Sequence, residues 1–126
     1  MAVFGIAGSL FPEATAADIK VTKSYLTGYG KMKRAVEYFE ENAPNSLKAQ
    51  SDFERFKRIT KKIERAIGLI CDDEIRRIMT FRFLKENTRA ATVIMFNIIT
   101  DRTVDRKINE GIAIVADCLL LWEELY

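Results

Sequence analysis

The sequence contains no histidine. Without an imidazole there is no Ser/His or Cys/His pair to activate a nucleophile, and no HExxH helix to hold zinc. Cysteine occurs only twice, at Cys71 and Cys118, too few for a disulfide framework and without the CxxC spacing of a redox or metal pair. Both lie in or beside apolar runs and are expected to be buried, reduced thiols of a cytoplasmic protein. With only two prolines, 48% hydrophobic and 30% charged residues, the chain reads as soluble and largely helical rather than disordered. The six glycines never assemble into a phosphate-cradling pattern. Long apolar runs are missing too. "IAIVADCLLLW" (112–122) is broken by Asp117 and falls short of the ~20 residues of a membrane span. "MAVFGIAGSLFPE" (1–13) is apolar but has no basic flank and is too short to span, so neither a signal peptide nor a membrane helix is expected. Asp72, Asp73 and Glu74 form a carboxylate cluster, but they stand at an apparent helix start, where they complement the dipole. No catalysis and no cofactor are expected.

Charge of one sign is also lacking. Lys and Arg number 20 against 18 Asp and Glu, a formal net charge of +2, so the placement of charge matters more than its sum. No period-two alternation is long enough for a strand. What is present is helical periodicity, over a length of 126 residues that suits one all-α domain (1–126) with its own core.

After an N-terminal segment (1–15), Thr15 and Asp18 have capping-box spacing and open a helical pattern to about Glu41. Its seam is Tyr25, Tyr29, Met32, Val36 and Phe39, with a break plausible at Gly28 and Gly30. Pro44 ends this element. Ser51 and Glu54 suggest a second capping box and a helix to about Ile70, burying Phe56, Ile59, Ile63, Ile67 and Ile70. The two are expected to pair as an antiparallel hairpin (16–70). A unit of three shorter helices follows (72–126). The first, capped by Asp72 or Asp73, runs to about Lys85 with Ile75, Ile78, Met79 and Phe83 inward. The second, capped by Thr88, runs to about Asn97 with Ala91, Ile94 and Met95 inward, and Ile98 a further candidate. The third, capped by Thr100 or Asp101, runs to about Glu124.

The stretch "TDRTVDRKINEGI" (100–112) carries the functional question. On a wheel of 100° per residue, Val104, Ile108, Ile112 and Val115 share one sector, while Arg102, Thr103, Arg106, Asn109 and Glu110 lie opposite. A short helix, a tight break, another short helix, a turn and a helix with a polar outer face is the arrangement of a helix-turn-helix reader of duplex DNA. Arg pairs bidentately with guanine and Asn with adenine, each good pair worth ~1–3 kcal/mol of discrimination. Thr100 and Thr103 offer hydroxyls to phosphate oxygens, and Lys107 a further cation. The alternative is that these residues only solvate one face of a surface helix. The helix at 55–65 has the same two readings. Arg55, Arg58, Lys61 and Lys62, with Arg89 further on, either confer solubility or contact phosphates.

The stretch "EIRRIMTFRFLKENTRAATVIMFNIITDRTVDRKINEGIAIVA" (74–116) resembles the C-terminal half of the ArpU/RinA-like regulators of late gene expression in phages of Gram-positive bacteria, itself similar to the fourth, DNA-binding region of sigma factors. "IMTFRFL" (78–84) looks like the end of the family's first helix in that unit, "TRAATVIMFNI" (88–98) like its supporting helix and "TDRTVDRKINEGI" like its recognition helix. The resemblance extends over roughly residues 20–120. It implies that Arg102, Thr103 and Arg106 contact bases or phosphates and that Val104 and Ile108 pack the unit. The implied activity is transcriptional activation of phage or prophage genes in the host cytoplasm, at the nucleoid, with RNA polymerase as a second partner. "MFNIIT" (95–100) departs from the family's usual turn, and Asn97 is a suitable occupant of a left-handed position there. The apolar tail "IAIVADCLLLWEELY" is expected either to dock on the hairpin or to form a homodimer. Two other functions remain open: a helical adaptor or anti-activator that binds protein, and a DNA-packaging factor like a small terminase subunit.

Overall fold

The computed structural model describes residues 13–96 and 100–126. The described residues are all-α. Helices α1 (Ala16–Thr27), α2 (Tyr29–Glu41), α3 (Leu47–Gly68), α4 (Asp73–Met79), α5 (Arg89–Met95) and α6 (Asp101–Leu121) follow in order, and α4 runs on into a π-helical turn over Thr80–Leu84. The start of the chain, Asn97 and Ile98 lie outside the described residues, so the expected left-handed turn at Asn97 falls there as well.

Local chemistry sets most of the helix starts. At α1, Asp18 N–H donates to Thr15 Oγ1 (3.2 Å) and Thr15 N–H to Asp18 Oδ2 (2.9 Å), the expected capping box. Asp72, Thr88 and Thr100 accept in the same way from the third residue on, at 2.9, 3.0 and 3.2 Å. The start of α3 differs from expectation. Ser46, in extended backbone after Pro44, caps the helix by accepting from Ala49 N–H (3.0 Å), so Ser51 lies a full turn inside. The extra turn is held by the Lys48–Asp52 pair and the Gln50–Glu54 hydrogen bond, each four residues apart.

The first long pattern is broken at Gly28, and its two halves go different ways. α2 pairs with α3 as a hairpin, while α1 leaves it to pack on α6. Helix α6 is thereby the spine of the molecule, in contact with α1, α3 and α4. One apolar cluster joins Leu26 of α1, Tyr29 of α2, Ile59, Ile63 and Ile67 of α3, Ile75, Ile78 and Met79 of α4, Phe83 of the π turn, and Val104, Ile112, Val115 and Leu119 of α6. Gly111 sits where α4 crosses α6. A Cβ there would lie 2.5 Å from the Met79 sulfur, which explains a glycine in mid-helix.

The tail takes the first of its two expected courses. Glu123 adopts a left-handed conformation (φ 59°), with Glu123 N–H donating to the Leu120 carbonyl and Glu124 N–H to the Leu119 carbonyl, a Schellman ending for α6. The chain reverses there, so α6 ends at Leu121 rather than near Glu124, and Leu125 is buried. The Tyr126 hydroxyl then donates to Asp18 Oδ1 (2.8 Å). Docking engages α1 as well as α3.

Two burial expectations fail. Cys71 is exposed; only Cys118 is buried. In α5, Ile94 and Met95 face solvent at 73% and 59% exposure, and Thr92 and Phe96 are buried instead. Thr92 hides its hydroxyl by donating to the Thr88 carbonyl (2.8 Å), and Phe96 meets Phe81 edge-on at 6.0 Å. A hydroxyl satisfied inside its own helix costs little to bury, which hydrophobic ranking alone misses.

Candidate nucleic-acid interface

The first turns of α6 pack on α4 and α5 by one face and leave the other to solvent. The apolar stripe of α6 is placed as expected: Val104, Ile108, Ile112 and Val115 are all buried. Across the helix, Arg102, Arg106 and Asn109 are exposed, at positions spaced four and three apart and so on one face. Arg102 has no carboxylate within ion-pair distance among the described residues, and Arg106 is 3.9 Å from Glu110, a loose exposed pair. These three side chains are brought together and left accessible.

The other expected contacts are engaged elsewhere. The Thr100 hydroxyl caps α6 and lies 2.9 Å from the Thr103 hydroxyl, so the two threonines are tied to one another and to the backbone. Lys107 Nζ is 3.0 Å from Glu74 Oε1 with only 17% of its side chain exposed, and pins α6 to α4. Arg89 forms a bidentate pair with Asp105, Nε to Oδ1 at 2.7 Å and Nη2 to Oδ2 at 2.8 Å. The Arg89 guanidinium holds the Asp105 carboxyl below its ordinary value. This fork bridges α5 and α6 on the exposed side.

On α3 the basic face is partly neutralised. Arg58 Nε and Lys62 Nζ converge on Glu124 Oε1 at 2.8 and 2.7 Å, where the tail folds back. Arg55 and Lys61 are exposed. Glu64, on the α2 side, accepts from Tyr29 and from Lys33 (3.0 Å). Burial would raise its carboxyl, but those two donors outweigh it and hold it below the ordinary range.

Lys23, Thr27 and Arg82, which the sequence reading passed over, gather beside Asn109: with Phe83, Arg89, Asp105, Ile108 and Ile112 they line one depression. Arg82 is held there by its Nη1 donating to the Asn87 carbonyl (2.8 Å) and by its guanidinium over the Phe83 ring at 4.8 Å. The available signal was the spacing of Lys20, Lys23 and Thr27 along the outer face of α1; the packing of α1 on α6, which makes that signal relevant, is not written locally.

Compared with protein-family models, curated proteins and solved structures, the chain matches none. No helix among the described residues is long and apolar enough to cross a membrane.

Proposed function

We propose that the protein binds duplex DNA sequence-specifically through α5, the following turn and α6, as a transcriptional regulator of the ArpU/RinA-like phage type. The observation that carries the reading is the exposed triad Arg102, Arg106 and Asn109 on one face of the first turns of α6, backed by a buried Val104–Ile108–Ile112 stripe. In this reading Arg102 and Arg106 take guanine edges, Asn109 takes adenine, and the amides of the α6 N-terminus lie against a phosphate. The mechanism is recognition without catalysis. The Arg89–Asp105 fork and the Lys107–Glu74 pair position the helix rather than touch the duplex. Activation through RNA polymerase, at the nucleoid of a host cytoplasm, follows from the family resemblance.

A second reading, a protein-binding adaptor, is favoured by Ile94 and Met95, adjacent large apolar side chains exposed on α5.

Affinity selection from a random duplex library tests the first reading, run in parallel with the wild type and the Arg102→Ala/Arg106→Ala variant. The expected result is an enriched motif that the variant loses, with helicity and melting temperature nearly unchanged and specific affinity lower by ~1–3 kcal/mol per lost bidentate pair. No motif with either protein, at low as well as moderate salt, retires the reading. A partner protein captured equally by both would establish the second.

A further inference from the structure

Resting on the DNA-binding reading above, we infer that the groove between α1 and α6 is a seat for a phosphodiester backbone, with Lys20, Lys23 and Arg82 as its cations. The phosphate contacts lie on α1 and the π turn rather than on the basic helix α3.

Three surface depressions meet at Thr27. One is lined by Lys20, Lys23, Ser24 and Gly28, the second by Lys23, Arg82 and Asn109, and the third by Arg82, Asn87 and Thr88. All three share Thr27 and only the second reaches α6, at Asn109; the furrow is the stretch of surface they border between Lys20 and Asn109. Lys20, Lys23, Ser24 and Thr27 recur at three, four and seven residues, all exposed, so they form one stripe along that wall.

The charge of the furrow is one-sided once its ion pairs are resolved. Asp105 is occupied by the Arg89 fork, and Glu86 by Arg34 Nη1 at 2.8 Å. Asp18, the acid of α1 itself, lies on the buried side and accepts from Thr15 and Tyr126. Among the described residues, Lys20, Lys23 and Arg82 have no carboxylate within ion-pair distance. On α3, Arg58 and Lys62 already share Glu124, while Arg55 and Lys61, exposed and without an ion pair among the described residues, line none of these depressions. A strand whose bases meet Asn109 continues past Lys23. Unpaired cations with neighbouring hydroxyls suit its phosphates, which carry charge but no sequence.

The test is binding of a random-sequence duplex, followed by fluorescence anisotropy over a series of salt concentrations. It compares the wild type, Lys20→Gln/Lys23→Gln, Arg102→Ala/Arg106→Ala, and Arg55→Gln/Lys61→Gln, which removes the same charge from exposed positions of α3, unpaired among the described residues. Each phosphate neutralised contributes about 0.9 to the slope of log affinity against log salt, so the α1 variant should lose ~2 from that slope. The α3 variant should keep the wild-type slope, and circular dichroism should show both folded. An α1 variant that binds with the wild-type slope overturns the furrow and leaves the α6 reading standing. Equal losses in the α1 and α3 variants reduce the effect to net charge and also overturn it. Binding that depends on Lys20 and Lys23 but is indifferent to Arg102 and Arg106 keeps the furrow and removes α6 as the contact helix. A wild type that binds no duplex at any salt overturns both.

Discussion

At the scale of single residues, the two cysteines show how a local pattern can mislead. Both lie in or beside apolar runs, yet burial is decided by where a helix stops. Helix α3 ends with its cap at Leu69, so Ile70 turns inward and Cys71 falls on the outside just before the Asp72 cap. Cys118 lies on the inner face of α6, and burial, then the neighbouring Asp117 carboxylate, push its thiol up to about 12. Since the thiolate is the reactive form, alkylation of the native protein near neutral pH should label Cys71 alone. Mass spectrometry reads the count, and unfolding should admit the second label. Two labels on the folded protein would contradict the burial of α6. Gly30 has a neighbour only the whole fold supplies: the Glu86 carboxylate, paired with Arg34, lies over the first turn of α2, and a Cβ there would displace that flexible side chain. No feature near Gly30 in the sequence announces Glu86.

At the scale of elements, what was legible is what short-range chemistry determines. The caps at Thr15 and Thr88 and the apolar stripe of α6 can be read from spacing alone, and spacing narrows the other two caps to Asp72 or Asp73 and Thr100 or Asp101, of which Asp72 and Thr100 do the capping. The start of α3 was misplaced because Ser51 and Glu54 have capping-box spacing, while Ser46 has the extended backbone that capping requires. The phase of α5 was misread because in so short a helix one threonine outweighs two hydrophobes. Its seven residues offer little periodicity, and the choice goes to the face that lets Phe96 reach Phe81 while Thr92 satisfies its own hydroxyl. This phase makes a prediction in denaturant. Ile94→Ser with Met95→Gln should change the unfolding free energy by no more than ~0.5 kcal/mol per site, as at ordinary surface positions. Phe96→Ala should lose roughly 3 kcal/mol. If the double variant is the more damaging of the two, α5 is rotated from the position described.

At the scale of the whole molecule, the departure of α1 from the hairpin matters most, because it puts Lys20 and Lys23 on the same side as Asn109. No periodicity within 16–41 could reveal it, since the apolar seams of α1 and α2 join smoothly across Gly28. Two reciprocal contacts close α1 on α6. Asp117 of α6 accepts from Ala14 N–H (2.8 Å) just ahead of α1, and Asp18 of α1 accepts from Tyr126 just beyond α6. The two carboxylates titrate in opposite senses. The Thr15 N–H, and after it the Tyr126 hydroxyl, hold Asp18 below its ordinary value of 3.8. Its contribution to stability is therefore present above that value and is lost as pH falls through the lower native one. Burial pushes Asp117 up from 3.8 despite the Ala14 hydrogen bond, so its ionisation costs stability as pH rises through the higher native value. Asp18→Asn should therefore lower the melting temperature at neutral pH. Asp117→Asn, which keeps an oxygen for Ala14 and drops the charge, should raise it. Both differences from the wild type should shrink toward zero in acid, where the native carboxyls are themselves protonated. Thermal melts across pH check this directly. Shifts of the same sign at neutral pH, or a difference that persists unchanged in acid, would mean that these carboxylates do not clasp α1 to α6, and the wall on which Lys20 and Lys23 stand would lose its support.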